Sequence, residues 1–185
     1  YAQGDHAENA VKNSKEMFSD EVCICNTIEE VMKYRYRVIL ADSFPAIDEN
    51  TLLLKPKNII VGLGCRKGIS EELLEKGLLE ILKKNHLDMN QIEALVSIDL
   101  KKEEPAVVSL AEKYKVPFLT YSAEMLNEVE EVSSASSFVK KITGIDNVCE
   151  RAAVTYCKKH CEYFELIAGK SIETAMTAAI ARRNI

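Results

Sequence analysis

The sequence has no apolar run approaching the roughly 20 residues that a membrane-spanning helix needs, and none of the short apolar core of a secretory signal. It has no internal repeat and no low-complexity tract. Nor is there an excess of positive charge: the formal net charge is −5, which argues against wholesale nucleic-acid binding. Only three histidines are present, His6, His86 and His160, all in charged surroundings, so a Cys–His catalytic pair has no evident base. What the chain does have is 47% hydrophobic and 29% charged residues over 185 positions, enough for a packed core and outside the range of disorder. Six cysteines (Cys23, Cys25, Cys65, Cys149, Cys157, Cys161) in an acidic chain without a signal are expected as reduced thiols, which places the protein in the cytoplasm. The chain starts at Tyr1 rather than Met, so a piece of a longer protein is expected.

Periodicity predicts alternating helices and strands. Residues 1–56 read helix ("AENAVKNSKEMF"), strand ("VCIC"), helix ("TIEEVMKY"), strand ("RVILAD"), followed by a linker, "SFPAIDENTLLLKPK", with Pro45 and Pro56 as brackets. Thr27 with Glu30 three residues on is a capping-box pattern. From Asn58 the alternation becomes regular: strands at "NIIVGL", "ALVSI" and "VPFLT", each followed by a helix. Ser70 is a candidate N-cap, Glu71 and Glu72 suit a first turn, and Leu74, Leu78, Ile81 and Leu82 form one stripe. Pro105 suits the first turn of the next helix, and Ser122 caps "AEMLNEVEEV". "SFVKKITG" and "VCERAAVTYCKK" read as helices, and the final segment as two strands around a Gly169-Lys170-Ser171 turn. The expected fold class is α/β: a layered αβα domain over residues 57–185 with a mainly parallel, mixed sheet, preceded by a short α/β fragment over 1–56.

The candidate chemistry sits where strands end. Gly62, Gly64 and Gly68 read G-x-G-x-x-x-G, which misses the dinucleotide pattern because position 67 is lysine. The Gly169-Lys170 pair fails as a P-loop for want of a glycine five residues earlier. Spacing alone leaves two readings for the first turn: a tight strand-to-helix connection needing positive φ, or an anion-receiving turn. Cys65 beside Arg66, Lys67 and a helix start has neighbours that lower a thiol pKa; the alternative is a small residue where bulk is excluded. Cys157, His160 and Cys161 with Cys149 lack the second ligand pair of a zinc site, so no metal is assigned. Asp99, Lys101, Lys102, Glu103 and Glu104 follow the second strand directly, where open α/β sheets bind ligands, and they share one crevice with the first turn if the two strands are parallel neighbours. Glu150 and Arg151 interrupt an apolar run, as a buried pair or as surface residues; Lys170 and the basic tail at Arg182 suit an acidic ligand.

Five segments in this order, "VGLGCRKGIS" (Val61–Ser70), "SIDLKKEEP" (Ser97–Pro105), "VPFLTYSAEML" (Val116–Leu126), "TGIDNVCERAAV" (Thr143–Val154) and "GKSIETAMTAAIAR" (Gly169–Arg182), resemble the C-terminal domain of the CbiG family, the cobalt-precorrin-5A hydrolases of anaerobic cobalamin biosynthesis. That domain is similar to CobE of the aerobic pathway. The resemblance implies hydrolysis of a δ-lactone on a cobalt-bound tetrapyrrole, with release of acetaldehyde and formation of cobalt-precorrin-5B. It assigns Glu104 and Glu150 as catalytic, and Gly64, Cys65, Arg66, Gly68, Ser70, Lys101 and Lys170 as substrate-binding. It implies that the partner is the cobalt-precorrin intermediate, with no nucleic acid, no membrane and no cofactor of the protein's own, since cobalt comes with the substrate; a homo-oligomer is compatible with it. It makes residues 1–56 the tail of the family's middle domain, and leaves a second reading in which this part binds the macrocycle while catalysis needs the family's N-terminal domain.

Overall fold

The computed structural model describes residues 23, 25, 27–41, 48–129 and 146–184. The chain divides into two compact units at Pro56/Lys57. In the first, a single helical turn α1 (Ile28–Val31) is followed by strands β1 (Arg37–Leu40) and β2 (Thr51–Leu54), which pair in parallel. The Thr27 hydroxyl accepts from the Glu30 amide, as the capping pattern requires. Cys25, Val31, Ile39 and Ala41 form a small core against Leu53. Two expectations change here. The strand at "VCIC" is not formed at Cys23 or Cys25, and the supposed linker contains β2, whose Thr-Leu-Leu-Leu run alternates half-buried with exposed and so presents one face to Ile39. The helix expected over residues 7–18 falls outside the described residues.

The second unit carries strands β3 (Ile59–Cys65), β4 (Ile92–Ile98), β5 (Phe118–Tyr121), β6 (Phe164–Glu173) and β7 (Met176–Arg183) in the order β5-β4-β3-β7-β6. β3, β4 and β5 run parallel; β7 and β6 add an antiparallel edge. Helices α2 (Glu71–Lys84) and α3 (Pro105–Tyr114) cover one face; α4 (Ala123–Asn127) and α5 (Val148–His160) pack on the other. The mixed αβα sandwich is the expected one.

Side-chain alternation explains the layering. Ile59, Val61 and Leu63 of β3 pack with Leu74, Leu78, Ile81 and Leu82 of α2, while Ile60, Ala94, Val96 and Ile98 meet Ala152, Ala153, Tyr156 and Cys157 of α5. Burying a leucine or isoleucine fully is worth about 1.5–3 kcal/mol, so the two cores dominate the unit's stability. α2 is capped by Ser70, whose hydroxyl accepts from the Leu73 amide. α3 begins on Pro105 and ends at Lys115 in the left-handed region (φ 54), where the Val116 amide closes back on the Ala111 carbonyl.

Two glycines resolve differently from the turn reading. Gly62 lies inside β3, and a Cβ there would stand 1.8 Å from the Cys149 carbonyl oxygen, so the first turn of α5 rests on bare strand backbone. Only Gly68, at φ 71, supplies the positive φ of the turn. The Gly169-Lys170-Ser171 turn is not formed either. Those residues lie within β6, which absorbs them through two register shifts, and the chain reverses at Thr174-Ala175 with Ala175 at φ 65. The helix from Ser122 ends at Asn127, and the one at "SFVKKITG" lies outside the described residues.

Candidate functional site

β3 and β4 are parallel neighbours, so the turns leaving them adjoin. A carboxylate joins the two. Glu104, the N-cap residue of α3, is 7% exposed; its Oε1 accepts the Gly68 amide at 2.8 Å and its Oε2 accepts the Lys101 ammonium at 3.0 Å. Burial acts to raise this carboxyl, but the hydrogen bonds from Lys101 and Gly68, with the charges of Lys101 and Lys67, together outweigh it and hold it below the ordinary glutamate value. The anion received by the Gly68 turn is therefore the protein's own. Half-buried Cys65 lies beside this pair. Its thiol is pushed up by burial, with Lys101 pulling the other way, which agrees with the reading of Cys65 as a small packed residue rather than an activated thiol; Arg66 and Lys67 are exposed.

The opposite face of the same sheet end is built around α5. Asn147 caps it, its Oδ1 accepting from the Glu150 amide at 3.2 Å and from the Cys149 thiol at 3.3 Å. Glu150 is fully buried and its Oε1 accepts the Lys170 amide across to β6. Thr177 donates to the Gly64 carbonyl at 3.4 Å and also interacts with Cys149, whose thiol burial pushes up to about 11. Glu150 and Arg151 are both buried but do not pair with one another: Arg151 bonds Asp146 and the carbonyls of Leu126 and Val129.

Several expected site residues thus fall into two groups. Cys65, Gly68, Lys101 and Glu104 come together on the α2/α3 face. Glu150, with the backbone of Lys170, comes together on the α5 face, and Gly64 lies between through Thr177. Ser70 is engaged in capping α2. Arg66 donates its amide to the Ala175 carbonyl at 3.0 Å, which ties the hairpin tip to the turn, and leaves its guanidinium exposed beside Lys67. Arg182 pairs in register with Ile59, the first residue of β3, so it belongs to the opposite end of the sheet and cannot join the strand-end cations. Asn147 and Thr177 are neighbours of these groups to which the sequence reading gave no part, and Gly62 was read only as a turn residue. Asn147 with Glu150 at N-cap and N3 spacing was the available signal. Gly62 and Thr177 gain their roles only from contacts distant in sequence.

Among the described residues no cluster of His, Cys, Asp and Glu could hold a metal ion, and no helix is long and apolar enough to cross a membrane. Of two surface grooves, the one of ≈ 650 Å³ is lined by Lys102 of the turn after β4 together with residues of α3 and β5, and the one of ≈ 510 Å³ by the end of α2 and the residues that follow it.

Residues 59–181 match the family model described as "Cobalamin synthesis G C-terminus". The chain is 33% identical over 135 residues to the cobalt-precorrin-5A hydrolase of Priestia megaterium, covering 73% of this chain and 35% of that protein. It is 28% identical over 182 residues to a probable cobalt-precorrin-5A hydrolase of Methanocaldococcus jannaschii, covering 93% of this chain and 56% of that one. The chain therefore spans between a third and somewhat over half of these relatives. Among solved structures, CobE, a protein from the cobalamin (vitamin B12) biosynthetic pathway, superposes with a TM-score of 0.64 at 29% identity, over 69% of this chain and 91% of CobE. With its five-stranded mixed sheet, its joined strand-end turns and a family match over most of its length, the chain belongs to the cobalamin synthesis G C-terminal family.

Proposed function

We propose that this chain is the C-terminal part of a cobalt-precorrin-5A hydrolase, acting on the δ-lactone of the cobalt-bound macrocycle and releasing acetaldehyde. Water adds to the lactone carbonyl, the ring C–O bond breaks to give a carboxylate and a hydroxyl, and a retro-aldol-like C–C cleavage then frees the two-carbon aldehyde. The observation that carries the reading is the Glu104 bridge, because it fuses two strand-end turns of a family member into one rigid lip. Around that lip, Arg66 and Lys67 are exposed cations suited to the acetate and propionate groups of a tetrapyrrole, Arg66 in bidentate fashion. Glu104 is assigned here to positioning: both its oxygens are occupied and its lowered pKa makes it a weak base. Glu150 remains the candidate base, Lys170 a candidate substrate contact, and the cobalt belongs to the substrate.

A second reading is favoured by one observation. Both carboxylates are buried and accept backbone amides, an arrangement suited to shaping a binding surface. On that reading the chain holds the macrocycle, and water activation comes from the remainder of a longer protein. Incubation of the chain, and separately of a full-length relative, with cobalt-precorrin-5A and an acetaldehyde assay separates the two. Release by the chain alone supports the hydrolase reading for this part. Release only by the full-length protein, with macrocycle binding retained by the chain, supports the binding reading. Absence of macrocycle binding by the chain overturns both.

A further inference from the structure

Among the described residues of the second unit, the large apolar side chain most open to solvent is Ile172, at 72%. It lies one pair short of the β6–β7 hairpin tip, opposite Thr177, which in turn lies opposite Gly64. Gly64 shares a face of β3 with Gly62, the glycine on which α5 is seated. Ile172, Thr177 and Gly64 therefore form one row across three strands on the α5 face. Lys170, half-buried, belongs to the same face: its charge acts on the Cys149 thiol, and its amide is bound by Glu150. Arg66 is the next residue of that alternation past Gly64. Its amide extends the ladder to the Ala175 carbonyl, and its side chain is exposed. A bare isoleucine thus stands between two cations, beside the buried carboxylate that is the candidate base.

One other aliphatic side chain at this end of the sheet is as open: Leu100, 68% exposed, in the turn after β4 that Lys101 and Glu104 tie to the α2/α3 face. Its surroundings differ in charge. Exposed Asp99 and Glu103 offset exposed Lys67 and Lys102 there, and the Lys101 ammonium is already bound by Glu104. Beside Ile172 the one exposed-edge carboxylate, Glu173, lies on the opposite face and is paired with Lys84, so Arg66 and Lys170 are not offset by it. A tetrapyrrole presents apolar ring faces rimmed by carboxylate side chains, which asks for an apolar contact with cations around it. We infer that the macrocycle lies on the α5 side of the strand ends, with Ile172 packed against its ring face while Arg66 and Lys170 meet its carboxylates. This rests on the assignment of the chain to a cobalt-precorrin-5A hydrolase, and it brings the ligand beside Glu150 rather than over the Glu104 bridge.

An absorbance titration of the chain with cobalt-precorrin-5A, comparing Ile172→Ala, Ile172→Leu and Leu100→Ala with the wild type, tests the choice of side. Both residues are exposed, so none of these changes threatens folding. Ile172→Ala is expected to weaken binding about fivefold to tenfold, as loss of an aliphatic contact buried by the ligand requires. Ile172→Leu, which keeps the apolar bulk, is expected to bind as the wild type does, and so is Leu100→Ala. Wild-type affinity in Ile172→Ala overturns the inference while leaving the hydrolase reading in place. So does a loss in Leu100→Ala as large as that in Ile172→Ala, or a loss in Ile172→Leu equal to that in Ile172→Ala. A wild-type chain that does not bind the macrocycle overturns both the inference and the reading it rests on.

Discussion

The carboxyl end of the sheet presents two faces, and each places a buried glutamate at the first turn of a helix. On the α2/α3 face Glu104 bridges two turns and is neutralised by the Lys101 side chain; on the α5 face Glu150 reaches across to the backbone of β6. The first face joins elements through side chains, and the second brings helix backbone against strand backbone at Gly62. The difference teaches where tolerance lies. A lip held by a carboxylate can be loosened by degrees, whereas a helix seated on bare backbone has no room to give.

The largest effect follows from that contact. Gly62→Val forces a side chain into the Cys149 carbonyl and is expected to destabilise the unit by about 3 kcal/mol or more, read from chemical denaturation. If Gly62→Val folds as stably as the wild type, the backbone seating of α5 is wrong. Glu104→Ala comes next. It leaves the Lys101 ammonium and the Gly68 amide without their partner in a largely buried place, at a cost of about 2 kcal/mol, while Glu104→Gln keeps an acceptor for Gly68 and costs about half as much. Equal losses for the two variants would mean that the amide contact contributes nothing separable. Gly68→Ala is smaller again: nothing lies within 4 Å of the added methyl, so only the left-handed backbone resists, at about 1 kcal/mol.

The thiols sharpen the same comparison through pH. Burial raises Cys149 on the α5 face to about 11, against an ordinary thiol value of 9.0. A raised thiol favours the protonated native state, so its contribution is full below the unfolded value of about 9 and is lost as pH rises through about 11. Cys157, raised to about 12, acts in the same direction. Stability is therefore expected to decline from pH 9 upward, less so in Cys149→Ala, and unchanged alkaline behaviour in that variant would contradict the burial assignment. At neutral pH exposed Cys23 is expected to react first with a thiol reagent, half-buried Cys65 slowly, and Cys149 and Cys157 only on unfolding, as counted by mass spectrometry.

Much of this was legible in the residues. The stripe Leu74, Leu78, Ile81, Leu82, the caps Thr27, Ser70 and Ser122, and Pro105 at a helix start are local signals, and each marks an observed helix, though those from Thr27 and Ser122 end at Val31 and Asn127, short of the expected lengths. The parallel strands at 59–65 and 92–98 put the two charged turns side by side, as their order along the chain implied. Local rules failed where a partner remote in sequence decides the outcome. Gly169-Lys170-Ser171 looks like a turn until pairing with β7 draws it into a bulged strand. Cys65 looks activated until burial outweighs its basic neighbours, and Gly62 looks like turn punctuation until α5 lands on it. Which carboxylate bonds which amide depends on side-chain directions that one-dimensional spacing does not encode.

The central claim is that the lip carrying Arg66 and Lys67 receives the carboxylates of the macrocycle. An absorbance titration of cobalt-precorrin-5A with the wild-type chain and with Arg66→Ala, Lys67→Ala, Cys65→Ser and Lys83→Ala tests it most directly, Lys83 being an exposed cation in the last turn of α2. Loss of one charged hydrogen-bond partner is worth about 1.5–3 kcal/mol, so Arg66→Ala is predicted to weaken binding roughly tenfold or more, and Lys67→Ala somewhat less. Cys65→Ser and Lys83→Ala are predicted to bind as the wild type does. Wild-type affinity in Arg66→Ala, or loss of binding confined to Cys65→Ser, would contradict the claim.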